Sequence, residues 1–157
     1  MTIGETRYCL SSDMKRPKPL TQLGAKSLLT PEQIDQPRTI LEAFANPRHG
    51  RDYEIEFIFP EFTSVCPVTG QPDFATITLT YVPNRLCVEM KSLKLYYLAY
   101  RNKGIFYEGV VNTILDDLVA VLKPKRMTVV GHFAARGGTA GKITASHPQP
   151  SRSKRDH

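Results

Sequence analysis

DYEIEFIFPEF, residues 52–62, alternates along its length. Tyr53, Ile55, Phe57 and Phe59 fall on one side, and Glu54 and Glu56 on the other. A period of two, with one apolar and one charged face, marks a strand that packs on a core and meets water. Pro60 is expected to end it, because proline donates nothing to a sheet ladder. ATITLTYVP (75–83) repeats the period, with Ala75, Ile77, Leu79 and Tyr81 set against Thr76, Thr78 and Thr80. Threonine and β-branched residues suit a pleated surface.

Outward from this pair, Pro83-Asn84 reads as a turn, and RLCVEM (85–90) extends the sheet briefly. From Lys91 the period changes. SLKLYYLAYRN (92–102) reads as a helix with Leu93, Tyr96, Tyr97 and Tyr100 near one side. From Glu108 to Leu122, Val111, Ile114, Leu115, Leu118, Val121 and Leu122 follow helical spacing. Lys123 and Pro124 close that helix. RMTVVGHFAARGG (126–138) is a strand running into a double glycine. The order strand, strand, helix, helix, strand does not alternate as βαβ units. It predicts an α+β fold, an antiparallel sheet with two helices on one face. Such a sheet has open edges, and pairing them between subunits is one way to close it into a barrel.

Prolines 17, 19, 31, 37 and 47 break residues 1–50 into an irregular N-terminal arm, with a short helix starting at Thr30-Pro31-Glu32. Residues 51–138 are expected to form the main domain, and 139–157 read as a polar, flexible C-terminal tail.

The chain has 157 residues, 41% of them hydrophobic, enough for one domain with a real core. Cys9, Cys66 and Cys87 are scattered and cannot all pair, which argues against a disulfide framework and a zinc knuckle. No signal peptide or membrane-spanning run is visible, so a soluble cytoplasmic protein is expected. The net charge is +6, part of it in HPQPSRSKRDH (147–157). No aromatic-rich basic stripe accompanies it, so direct nucleic-acid binding is not expected.

Four groups of residues have chemistry to offer. Cys66 lies in the loop of FTSVCPVTGQPDF (62–74), with Asp73 seven residues on. Most free cysteines are small buried hydrophobes. A rigid loop is also where a nucleophile is displayed, and a neutral carboxylic acid beside it can protonate the anion that thiolate addition creates. Burial near Phe74 would favour that neutral form. In EMKSLKLYY (89–97), Lys91, Ser92 and Lys94 sit at a helix start, which suits phosphate or is simply a charged face. Glu89 and Glu108 are carboxylates able to take two N–H bonds from a purine-like edge. Glu108 at a helix start also fits the helix dipole. In ARGG (135–138), Arg136 can fork a phosphate while Gly137 and Gly138 let a ligand approach the backbone.

Together these residues resemble the QueF nitrile reductases. The resemblance runs from about Leu20 to Gly138. It is carried by LTQLG (20–24), PEFTSVCPVTGQPDFATI (60–77), EMKSLKLYYLAYRN (89–102), FYEG and VNT (106–113), and ARGG (135–138). It implies the tunnelling fold, with sheets of neighbouring subunits joined into a barrel, and a homo-oligomer of two pentameric rings with sites at the interfaces. It implies NADPH-dependent reduction of 7-cyano-7-deazaguanine to 7-aminomethyl-7-deazaguanine in queuosine biosynthesis. Cys66 would be the nucleophile forming a thioimide, and Asp73 the proton donor. Glu89, Met90, Lys91, Tyr107 and Glu108 would bind substrate. Lys91, Ser92, Lys94, Arg136 and Gly137 would bind NADPH. Two positions depart from the family pattern: Tyr107 stands where histidine is usual, and Met90 where serine or leucine is usual. Alternative readings are an amidine-forming relative that acts on the nitrile base in tRNA, a zinc-dependent cyclohydrolase-like member, and a non-catalytic purine-binding protein.

Overall fold

The structure, a computed structural model, describes residues 29–149. Cys9 and the LTQLG segment lie outside the described residues, as does most of HPQPSRSKRDH.

Helix α1 (Pro31–Asp35) opens with a capping box. The Gln33 N–H donates to Thr30 Oγ1, and the Thr30 N–H donates to the Gln33 side chain. A 3-10 turn follows at Pro37–Ile40. Strand β1 (Ala43–Ala45) then pairs antiparallel with β4 (Leu86–Val88). The RLCVEM stretch therefore joins part of the N-terminal arm in a small separate sheet rather than extending the main one. Ile40 and Leu41 are buried, so this end of the arm belongs to the core.

The main sheet holds β2 (Ile55–Val65), β3 (Pro72–Val82), β5 (Arg126–Arg136) and β6 (Thr139–His147), antiparallel and in that order. Pro60 does not end β2. The register shifts between Phe59, opposite Ile77, and Phe62, opposite Ala75, so β2 carries one extra residue there. A bulge tolerates a proline because the bulged residue has no ladder partner.

Strand β6 overturns the expected tail at 139. Met127 through Phe133 of β5 pair with residues 147 back to 141. Only Ala145 of β6 is fully buried, and its other inward positions are Gly141 and Ile143. An edge strand this polar hides its period in the sequence. The Gly137–Gly138 turn that joins β5 to β6 has φ of +60° and +83°, the left-handed region that glycine enters without cost.

Helix α2 (Met90–Leu98) starts at Glu89, and α3 (Tyr107–Leu122) ends at Lys123 in a left-handed cap before Pro124. Both cover one face of the sheet. Its inner rows are Ala75, Ile77, Leu79 and Tyr81 on β3, and Met127, Val129, Gly131 and Phe133 on β5. Gly131 lets α3 settle close, since a Cβ there would lie 2.8 Å from both Val111 Cγ2 and Phe133 Cε2. Tyr96 of α2 ties the two helices by donating to Asp117 Oδ2 at 2.8 Å. The opposite face of the sheet exposes Ile58, Phe74 and His132.

Candidate active site

The inner face of a strand repeats every two residues. On β3, the unbulged strand, Asp73 continues the inward row of Ala75, Ile77 and Leu79. It is 4% exposed, and its burial owes nothing to Phe74, which points away and is exposed. On β2 the bulge changes which residues face inward. Ile55, Phe57 and Phe59 face in before it, and Phe62, Ser64 and Cys66 after it. On β5 a second extra residue between Phe133 and Arg136 does the same for Arg136. The two bulges thus turn Cys66 and Arg136 toward the face that Asp73 already occupies. All three lie at one end of the adjacent strands β2, β3 and β5. Bulges beside functional sites commonly re-aim a side chain in this way.

Cys66 heads a tight turn: its N–H donates to Gln71 O at 2.8 Å, and its carbonyl accepts from the Gly70 N–H at 2.9 Å. The turn aims the Thr69 hydroxyl and the backbone N–H groups of Thr69 and Val68 at the sulfur. These donors, the Thr69 hydroxyl first, outweigh burial and lower the thiol pKa to about 7, with Arg136 helping. Much of the sulfur is thiolate at neutral pH, the state that attacks carbon.

Asp73 Oδ1 receives two donors. The Tyr107 hydroxyl donates at 2.8 Å, and the Arg136 guanidinium lies at 2.9 Å. Tyr107 enters from the first turn of α3. The chain reaches it by pairing Lys103 to Ile105 alongside Val65: the Val65 N–H donates to Lys103 O, and the Ile105 N–H to Val65 O. The Tyr107 ring stacks on Phe133 at 3.9 Å, and Arg136 lies 6.0 Å from its centroid. Desolvation first, and then Asp73, raise the Tyr107 pKa above its ordinary value, so the phenol keeps its proton.

A cleft of about 180 Å³ opens over this group, lined by Cys66, Pro67, Asp73, residues 105–108 and Arg136. Glu108 is exposed at its rim. Of the residues expected to act, the chain brings together Cys66, Asp73, Tyr107, Glu108 and Arg136. Arg136, expected on the cofactor side, sits with Cys66 and Asp73. Gly137 lies next to it in the β5–β6 turn.

The 89–94 group does not line this cleft. Glu89 is 7% exposed and caps α2, accepting from the Lys91 N–H at 2.9 Å and the Ser92 N–H at 2.7 Å. The two N–H bonds expected from a purine edge are made to its own helix. Ser92 is fully buried. Its hydroxyl donates to Glu89 O and accepts from the Glu42 N–H, so it faces no cofactor in this chain. Met90 and Lys94 are exposed and Lys91 half-buried.

Sequence reasoning missed Thr69 and Phe133. Thr69 had a readable signal, a hydroxyl three residues past a cysteine and next to a turn glycine. Phe133 had none beyond its place in an apolar strand. Among the described residues, no group of three His, Cys, Asp or Glu side chains is placed to hold a metal ion. No helix of the described residues is long and apolar enough to cross a membrane.

A solved structure, the archaeosine synthase QueF-Like in its apo form, superposes with a TM-score of 0.53 at 19% identity. It covers 60% of this chain and 91% of its own, and shows likeness of fold. Three curated relatives are each named NADPH-dependent 7-cyano-7-deazaguanine reductase. That of Chloroherpeton thalassium is 61% identical over 69% of this chain and 93% of its own length. That of Chlorobium phaeobacteroides (strain DSM 266) is 55% identical over 71% and 97%. That of Magnetococcus marinus is 52% identical over 75% and 92%. The model of a family described as QueF-like protein matches residues 72–152, more than half of the chain. With that match and those relatives behind it, the cleft around Cys66 and Asp73 is a feature of a chain that belongs to the QueF family.

Proposed function

We propose that this protein is an NADPH-dependent 7-cyano-7-deazaguanine reductase, acting on the free nitrile base through a covalent cysteine adduct. The observation that carries the reading is a Cys66 thiol lowered to about 7 in the same cleft as the buried Asp73 carboxyl.

Cys66 adds its sulfur to the nitrile carbon, forming an S–C bond as one C–N π bond breaks. Asp73 gives its proton to the nitrogen, and the product is a thioimide. An ion pair with Arg136 requires the carboxylate, so Arg136 parts from Asp73, which takes up the proton released by the Cys66 thiol and then passes it to the nitrogen. At 41% exposed, the Arg136 side chain has room to turn outward. NADPH, when bound, supplies the hydrides that take nitrile to amine, one from each of two molecules. Arg136 at the two-glycine turn and the exposed Lys94 fit the phosphates of such a group, with Lys91 beside them. Buried Ser92 fits it only as a support for α2. The donors that lower the Cys66 pKa also make its sulfur a ready leaving group.

One chain holds only part of this site, because a cleft of about 180 Å³ is smaller than drug-sized pockets, which run to roughly 300–1,000 Å³. We place Glu89, Met90, Lys91 and Lys94 of a neighbouring subunit across the cleft. The assembly is then two pentameric rings whose sheets join at their β2 and β6 edges into a barrel. A mechanism that needs Cys66 reduced suits the cytoplasm.

The test is spectrophotometric, with protein, the free nitrile base and NADPH. The expected result is two NADPH oxidised per base and a transient adduct absorbance, both abolished in Cys66→Ala. Turnover that survives in Cys66→Ala sinks the covalent mechanism. No NADPH oxidation by the intact protein sinks the reductase reading.

A further inference from the structure

Asp73 is gripped unevenly. Both donors, the Tyr107 hydroxyl at 2.8 Å and Arg136 at 2.9 Å, end on Oδ1. A carboxyl group that donates a proton carries it on one oxygen and accepts at the other. Donors converging on Oδ1 make it the accepting oxygen and assign the proton to Oδ2. Of the two donors, Arg136 is charged and on an exposed turn. Tyr107 is neutral and held, its ring stacked 3.9 Å from Phe133 and its edge against Gly141.

We infer that Tyr107 is a positioning residue that keeps hold of Asp73 Oδ1 in both states of the carboxyl, so that Oδ2 presents the transferable proton. This assigns Tyr107 to the acid rather than to the substrate. The phenol is suited to the task because it remains a donor whether Asp73 is charged or neutral. Arg136 pairs with the charged state alone. The inference rests on the reductase reading for its kinetic consequence, though not for the hydrogen bond itself.

Three measurements test it on the intact protein. In Tyr107→Phe the ring stack survives and the hydroxyl is lost. The kcat should fall about tenfold or more, as for a lost group in proton transfer, with the KM for the nitrile base within about twofold of the parent. An unchanged kcat, or a rise in KM alone, overturns the inference. In Tyr107→His, an imidazole that titrates near ~6.5 should add a limb to the pH profile of kcat. A profile identical to the parent's overturns it. The third measurement needs no activity. Carbon-13 placed at tyrosine Cζ should show Tyr107 titrating above the ordinary phenol range, and Asp73→Asn should return it toward that range. A Tyr107 signal indifferent to Asp73→Asn overturns the inference even if the protein proves to be no reductase.

Discussion

The lowered pKa of Cys66 comes from a four-residue turn more than from any charged neighbour. The Thr69 hydroxyl is the largest contribution, ahead of the two backbone N–H groups and Arg136. The thiolate is therefore stabilised mainly by groups that the turn itself supplies. Alkylation of Cys66 by iodoacetamide should rise with pH through a midpoint of about 7. Thr69→Val removes the leading donor to the charged form, so the midpoint should move up toward the ordinary thiol value of ~8.5. A midpoint that stays put would mean the backbone N–H groups suffice. At this scale the sequence was partly legible. Cys66 and Asp73 stood out as a thiol and a carboxyl flanking a turn. The partners of Arg136 did not, because sixty and more residues separate it from both and only the strand order joins them.

Among the elements, the long helix and the central strands were readable because their periods are apolar and unbroken. Strand β6 was not, since a strand with three inward positions filled by Gly141, Ile143 and Ala145 looks like coil. Strand β2 looks shorter in the sequence than it is because Pro60 resembles a stop, whereas it sits in a bulge that no local propensity announces. The contact of α3 with β5 is the joint on which Phe133, and through it Tyr107, depends. A methyl group at 131 would press on Val111 and Phe133 from 2.8 Å. Gly131→Ala should therefore cost about 1–3 kcal/mol by overpacking. Thermal melts would show it as a fall of several degrees. If the strain is relieved by moving Phe133, kcat should fall as well. An unchanged melting temperature would show that α3 is free to lift.

For the molecule as a whole, the placement of the 89–94 group outside the cleft is the consequential fact. A site completed by a neighbour can be rebuilt from two damaged copies, and a site complete within one chain cannot. Cys66→Ala and Glu89→Gln proteins, each inactive alone, should regain activity when co-expressed. Random pairing leaves both wild-type halves together at about a quarter of the interfaces. Activity that stays at zero in the mixture would place Glu89 in the same subunit's site or in the cap of α2 alone. Glu89→Gln keeps an accepting oxygen for the α2 cap, so the fold should tolerate it. Fold class was legible from the order of elements. The proposal of a shared site comes from family resemblance, because periodicity describes one chain and says nothing of its neighbour.

The two bulges set a rule about chain length. With each bulge kept, adding or removing one residue between Phe62 and Cys66 would send the sulfur to the far side of the sheet, and a change of two would bring it back. The same parity binds Arg136 to Met127. Away from the bulges, length variation in these strands is therefore tolerable only in even steps, whereas at a bulge the one extra residue can be lost without turning the site away. A relative can hold every residue of this site at matching positions and still lack its chemistry for want of a single residue upstream.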